Sequence, residues 1–229
     1  MVQWWNDSKV MALVTKRICG ESKNNLESSF LKYIIDHYED RLPFKIGLSN
    51  GCGYADKEAY LKTNGIADKF HLYDIDPIRI TEARIRHRRI PGMFIICNDA
   101  LKVEWGSFDF ILWAGSLHHM PDVYEALKWT KKHLNKGGVM LVFEYCGANR
   151  LGLKDTSKLK WHEAMDSERI EQALRDTFQG IEIIPIGGAC FRRDIKGRKP
   201  YDVDRIIRKD NALLKKGKYD LLFACWSND

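Results

Sequence analysis

The sequence predicts an α/β fold in which helices cover both faces of an open, mostly parallel sheet. Three observations predict it. Short apolar runs alternate with single amphipathic helical segments, the pattern of strands buried on both sides. The first such run, residues 44–48, ends in a glycine-spaced turn, Ser49-Asn50-Gly51-Cys52-Gly53-Tyr54-Ala55-Asp56. Asp74 closes the next run 21 residues after Gly53, near the roughly 20 of a strand–helix–strand unit that holds an adenosine. Glycines let the backbone approach such a ligand, and a carboxylate at the second strand's end accepts from both ribose hydroxyls.

The elements follow in order. Val10, Leu13, Val14 and Ile18 repeat at helical spacing, as do Leu31, Ile34, Ile35 and Tyr38, so two helices come first. Gly20 ends the first, and Pro43 marks the passage into a strand at 44–48. A helix runs from Asp56 until Asn64-Gly65, and a strand at 70–73 leads to Asp76, an N-cap with Pro77 behind it. Strands at 93–97 and 108–113 come next. The helix carrying Val123, Ala126, Leu127, Thr130 and Leu134 then ends at Asn135-Lys136-Gly137-Gly138, before a strand at 139–144. Residues 146–166 are polar and read as a loop or lid. A helix with Ile170, Ala173, Leu174 and Phe178 inward precedes a strand at 181–186. Residues 187–200 are rich in glycine and arginine, 203–214 read as helical, and 221–226 form the last strand. The domain expectation is a helical cap at 1–40 and a core at 41–229, with a lid at 146–166 and an insert at 187–218.

Composition narrows the classes. The 229 residues suffice for one packed α/β domain with an appendage. An apolar fraction of 45% and a charged fraction of 30% fit a soluble globular protein. No run approaches the roughly 18 apolar residues of a membrane span. The start, Met1-Val2-Gln3-Trp4-Trp5, is no secretory signal, so a cytoplasmic location is expected. Six cysteines at 19, 52, 97, 146, 190 and 225 show no zinc or redox spacing and read as free thiols; no metal is expected. The net charge of +6 concentrates in 84–89 and 192–199. These runs read as a solvated helix face and loop, with an anionic partner as the alternative.

Five pieces stand in order along the chain: Asn50-Gly51-Cys52-Gly53-Tyr54-Ala55, Asp74, Asp99-Ala100, Ser116-Leu117-His118-His119 and Leu134-Asn135-Lys136-Gly137-Gly138. Together they resemble the class I S-adenosylmethionine-dependent methyltransferases over nearly the whole chain. The resemblance implies a Rossmann-like, doubly wound, seven-stranded sheet of order 3-2-1-4-5-7-6, its last strand antiparallel. It also implies S-adenosyl-L-methionine as cofactor, held by Ser49, Asn50, Gly51, Cys52, Gly53, Asp74, Ile75, Asp99, Ala100 and Ala114. Ser49 stands where the family usually has an acid, and Ala55 where it has a third glycine. Trp5-Asn6-Asp7 with Val10 and Arg17, Ser49, and Glu144-Tyr145-Cys146-Gly147-Ala148-Asn149-Arg150 further resemble a subgroup tied to sugar and polysaccharide modification.

The competing nucleotide folds fit less well. A dehydrogenase fingerprint wants glycine at position 56, where Asp56 would face pyrophosphate, and no Gly-Lys-Ser/Thr phosphate loop occurs. The Asn/Asp-Pro-Pro-aromatic signature of many N-methyltransferases is replaced by Trp113-Ala114-Gly115-Ser116, which favours an oxygen acceptor. A sugar hydroxyl needs a base, so His118, His119 and Glu144 are the candidate catalytic groups, with Tyr145 and Arg150 on the acceptor. The expected function is O-methylation of a sugar, nucleotide sugar or glycan intermediate. The alternatives are O- or C-methylation of another small molecule, or a nucleic-acid-binding module.

Overall fold

The protein is described by a computed structural model covering residues 4–104, 106–145, 167–191, 195 and 201–229. A 3-10 turn, Trp4–Asn6, leads into α1 (Ser8–Cys19). Asp7 caps α1 by accepting from the amides of Lys9 and Val10, and Gly20 ends it in the left-handed region at φ 76°. Asn25 caps α2 (Leu26–Tyr38) through the Ser28 amide. Then follow β1 (Phe44–Asn50), α3 (Asp56–Thr63), β2 (Ala67–Asp74), α4 (Pro77–His87), β3 (Met93–Cys97) and β4 (Phe108–Ala114). The remainder is α5 (Val123–His133), β5 (Leu134–Tyr145), α6 (Ser167–Thr177), β6 (Glu182–Gly187), α7 (Val203–Leu214) and β7 (Leu221–Ser227).

All seven strands join one sheet in the order β3-β2-β1-β4-β5-β7-β6. The strands β1 to β5 pair in parallel, and β7 runs antiparallel to both β5 and β6. This is the Rossmann-like sheet that the resemblance implied. Its strand order reverses between β1 and β4, so a crevice opens beyond their carboxyl ends.

The side-chain alternation of β4 shows how both faces are covered. Phe110 and Leu112 pack with Val10 and Val14 of α1 and Phe30 and Ile34 of α2. Ile111 and Trp113 pack with Val123 and Leu127 of α5 and Ile170 and Leu174 of α6. Trp113 is wholly buried, and its indole N–H donates to Thr130 Oγ1 at 3.1 Å, which offsets the cost of burying that donor. The N-terminal helices therefore share an apolar layer with the core sheet. They are also tied to its far end: Arg17 Nη1 of α1 pairs with buried Asp210 Oδ2 of α7 at 3.1 Å and donates to the Ile186 carbonyl of β6.

One boundary corrects the sequence expectation. The helix does not run through Leu134 to a glycine stop; α5 ends at His133, and Leu134 already belongs to β5. The Gly137 amide donates to the Asn228 carbonyl at 2.7 Å, and the Asn228 amide donates back to Gly138 at 2.9 Å. The two glycines thus bend a strand along the chain's end instead of capping a helix. The expected lid at 146–166 lies outside the described residues, as does Arg150. Of the expected insert, the described parts are 187–191, 195 and 201–218, which include α7.

Candidate active site

The sheet's carboxyl edge carries the glycine turn. The chain leaves β1 through Gly51 at φ 70° and Gly53 at φ 57°. The Gly51 and Cys52 amides donate to the Tyr73 carbonyl at 2.8 and 3.0 Å, and the Gly53 amide donates to Asp74 Oδ2 at 2.8 Å. The turn and the end of β2 are therefore in direct contact. Asp74 Oδ1 accepts from the Asp76 amide at 2.9 Å, while each carboxylate oxygen retains a further lone pair for a ligand.

The two glycines are needed for different reasons. A Cβ at Gly51 would lie 2.4 Å from Ser116 Cβ, so the loop after β4 requires glycine there. A Cβ at Gly53 would meet nothing within 4 Å, so that side of the turn is open. Ala55 is buried at φ 59°, a left-handed position that costs an alanine more than a glycine. Beside the turn, Ile75 is 76% exposed, a large apolar side chain left at the edge. Asp99 caps the 3-10 turn Ala100–Lys102 by accepting from the Leu101 amide at 3.0 Å, and Ala100 is buried beneath it. The Asn98 amide donates to the Asp74 carbonyl at 3.1 Å, which brings the β3 end against the β2 end. Part of the basic run on α4 braces this region. Arg86 lies 4.7 Å over the Tyr54 ring and pairs with Asp56 at 3.2 Å, and Arg84 Nε donates to the Ile95 carbonyl.

A second group assembles where β4 and β5 end. Glu144 is fully buried and accepts from the amides of Ser116 at 3.0 Å, Leu117 at 2.7 Å and Tyr145 at 2.7 Å. It also bonds His118 Nδ1, and so holds the 3-10 turn Leu117–His119 by backbone and side chain together. The His118 ring stands edge-on to Tyr145 at 5.6 Å and 3.9 Å from the His119 ring. His118 is half-buried and His119 exposed.

Tyr145 in turn lines a pocket of about 350 Å³ between the N-terminal helices and the sheet edge. Its walls include Trp4 and Trp5, Met11, Leu26, Ala114, Gly115 and Phe143, with Asn25, Glu27 and Lys57 supplying polar groups. Trp4 is buried against Trp5 in an edge-to-face contact at 5.6 Å, which leaves the Trp5 indole 43% exposed. Sequence reasoning brought the glycine turn, Asp74 and His118 to this edge. It named Ala114 and Tyr145 of this wall but missed the rest of it, and missed Glu58, whose buried carboxyl accepts from Ser49 Oγ at 2.7 Å. Neither has a local sequence signal, because each is assembled from separate elements.

Residues 48–142 match the family model described as a methyltransferase domain. This stretch is a methyltransferase domain. Solved structures share its fold along nearly its whole length. The N-methyltransferase NodS from Bradyrhizobium japonicum WM9 aligns at 17% identity and TM-score 0.58, covering 88% of this chain and 96% of its own. Geranyl diphosphate C-methyltransferase from Streptomyces coelicolor A3(2), solved with Mg2+, geranyl diphosphate and S-adenosyl-L-homocysteine, aligns at 14% and 0.66, covering 99% and 95%. The StiE O-methyltransferase domain aligns at 13% and 0.57, covering 88% and 73%. No curated protein sequence matches. These neighbours methylate at nitrogen, carbon and oxygen, so their fold gives this methyltransferase no acceptor. Enzymes of this class draw the methyl group from S-adenosylmethionine. Among the described residues, no helix of this methyltransferase is long and apolar enough to cross a membrane.

Proposed function

We propose that this methyltransferase transfers the methyl group of S-adenosylmethionine to a hydroxyl of a sugar, nucleotide sugar or glycan intermediate in the cytoplasm. The observation that carries the reading is the buried Glu144 seating His118 beside a tryptophan-lined pocket. The residues at the sheet edge fit the donor: Gly53 leaves open space, and Asp74 stands at the turn with lone pairs to spare for ribose hydroxyls. When bound, the donor supplies an electrophilic sulfonium methyl and a neutral thioether leaving group.

The chain's own residues would do the rest. A neutral hydroxyl is a poor nucleophile until its proton has somewhere to go. With Nδ1 engaged by Glu144, His118 accepts that proton on Nε2 as the new carbon–oxygen bond forms. Glu144 serves here as the group that fixes the tautomer and orientation of the ring, since its oxygens already accept from backbone amides. The exposed indole of Trp5 suits the C–H face of a sugar ring, and Asn25, Glu27 and Lys57 suit its hydroxyls. Holding hydroxyl and methyl in line supplies the entropic part of the acceleration.

Labelled-methyl transfer to a panel of nucleotide sugars, glycan fragments, other small hydroxyl compounds and RNA tests the reading. Incorporation into a sugar acceptor is expected, with His118→Ala lowering turnover about 100-fold or more at unchanged donor affinity. Incorporation only into RNA or a non-sugar acceptor, or full turnover by His118→Ala, would reject it.

A further inference from the structure

Glu58 sits in the first turn of α3, directly after the glycine turn, and is 1% exposed. Its Oε1 accepts from Ser49 Oγ at 2.7 Å, and its Oε2 has no hydrogen-bond partner among the described residues. A buried, unsatisfied carboxylate oxygen is rare and asks for a reason. Its surroundings supply one. Ser49 lies on β1 two residues before Gly51, so its bond holds Glu58 against the strand end from which the glycine turn departs. The chain neighbour of Glu58, Lys57, lines the pocket. Glu58 is thus tied to the end of β1 by Ser49 and adjoins the pocket-lining Lys57 in the chain, beside the edge where a donor would bring its amino-acid end. That end carries an ammonium. Ser49 offers it a hydroxyl but no charge, and the spare lone pairs of Asp74 are taken by the ribose hydroxyls in the reading above.

We infer that Glu58, held by Ser49, is the carboxylate that receives the methionyl ammonium of the donor. This rests on S-adenosylmethionine being the donor. Burial pushes the Glu58 carboxyl above the ordinary glutamate value in the ligand-free chain, and Lys57 and the Ser49 hydroxyl hold it back. A cation beside it would restore the charged form. The residue thus costs the ligand-free fold something that ligand binding returns.

Calorimetry on the full chain tests the inference with two probes: S-adenosylhomocysteine, and 5′-methylthioadenosine, which keeps the adenosine and thioether but lacks the amino-acid end. Glu58→Gln should bind S-adenosylhomocysteine at least tenfold more weakly while binding methylthioadenosine within twofold of wild type. Equal weakening of both probes, or weakening of neither, would overturn the role of Glu58. If Glu58→Gln fails to fold, Ser49→Ala decides. It should lose at least threefold for the first probe alone, and an unchanged preference overturns the inference. A wild-type chain that binds neither probe rejects the donor itself, a separate outcome.

Discussion

Gly51 and Gly53 share a left-handed backbone but differ in what lies beyond them, and substitution should separate the two. Gly51→Ala adds a Cβ 2.4 Å from Ser116 and should cost about 3 kcal/mol or more, with the loop after β4 displaced. Gly53→Ala meets nothing and should cost only the left-handed strain, about 1–2 kcal/mol, while losing donor affinity because its methyl fills the open side. Chemical denaturation and calorimetry on both variants check this, and equal stability losses would contradict it. Glu58 makes a pH prediction. Burial raises its pKa against the pull of Lys57 and Ser49, with Glu27 adding to the rise. A raised acid contributes its stability in full below the ordinary glutamate value, and that contribution is lost as pH rises through the raised value. The melting temperature of the ligand-free chain should therefore fall more steeply in wild type than in Glu58→Gln as pH rises above the ordinary glutamate value. Parallel curves would contradict this.

At the scale of elements, Arg17 joins α1 to α7 across the end of β6. Its partner Asp210 is fully buried and also accepts from the Cys190 amide. Arg17→Met removes the counter-charge of a buried carboxylate, which should cost about 3–5 kcal/mol. Arg17→Met combined with Asp210→Asn should recover part of that loss; no difference between single and double variants in denaturant melts would contradict the account. Elements whose ends are fixed by local chemistry were legible in the sequence. Asp76-Pro77 opens α4 and Gly20 closes α1 as read, and β3 and α7 have the bounds expected. The end of α5 was not legible. A glycine pair after an amphipathic run signals a C-cap, and only the return of Asn228 beside it turns Gly137 and Gly138 into a bent strand.

Over the whole molecule, the legible part of the site is the part carried by short motifs on consecutive strands. The glycine turn, Asp74 and the His118 turn meet at one edge because the strand order reverses between β1 and β4. The remainder comes from distance in the chain: Trp5 reaches the pocket from the first residues, Glu144 reaches His118 from the next strand, and Glu58 reaches back to Ser49 from a helix. No periodicity in the sequence records such meetings. The central claim, that the glycine turn and the carboxylate ending β2 jointly hold the donor, is tested most directly by calorimetric titration of S-adenosylmethionine into wild type and Asp74→Ala. The account predicts binding by wild type and a loss of about 1.5–3 kcal/mol in the variant, the worth of charge-assisted hydrogen bonds. No binding by the folded wild type, or equal affinities for the two proteins, would contradict it.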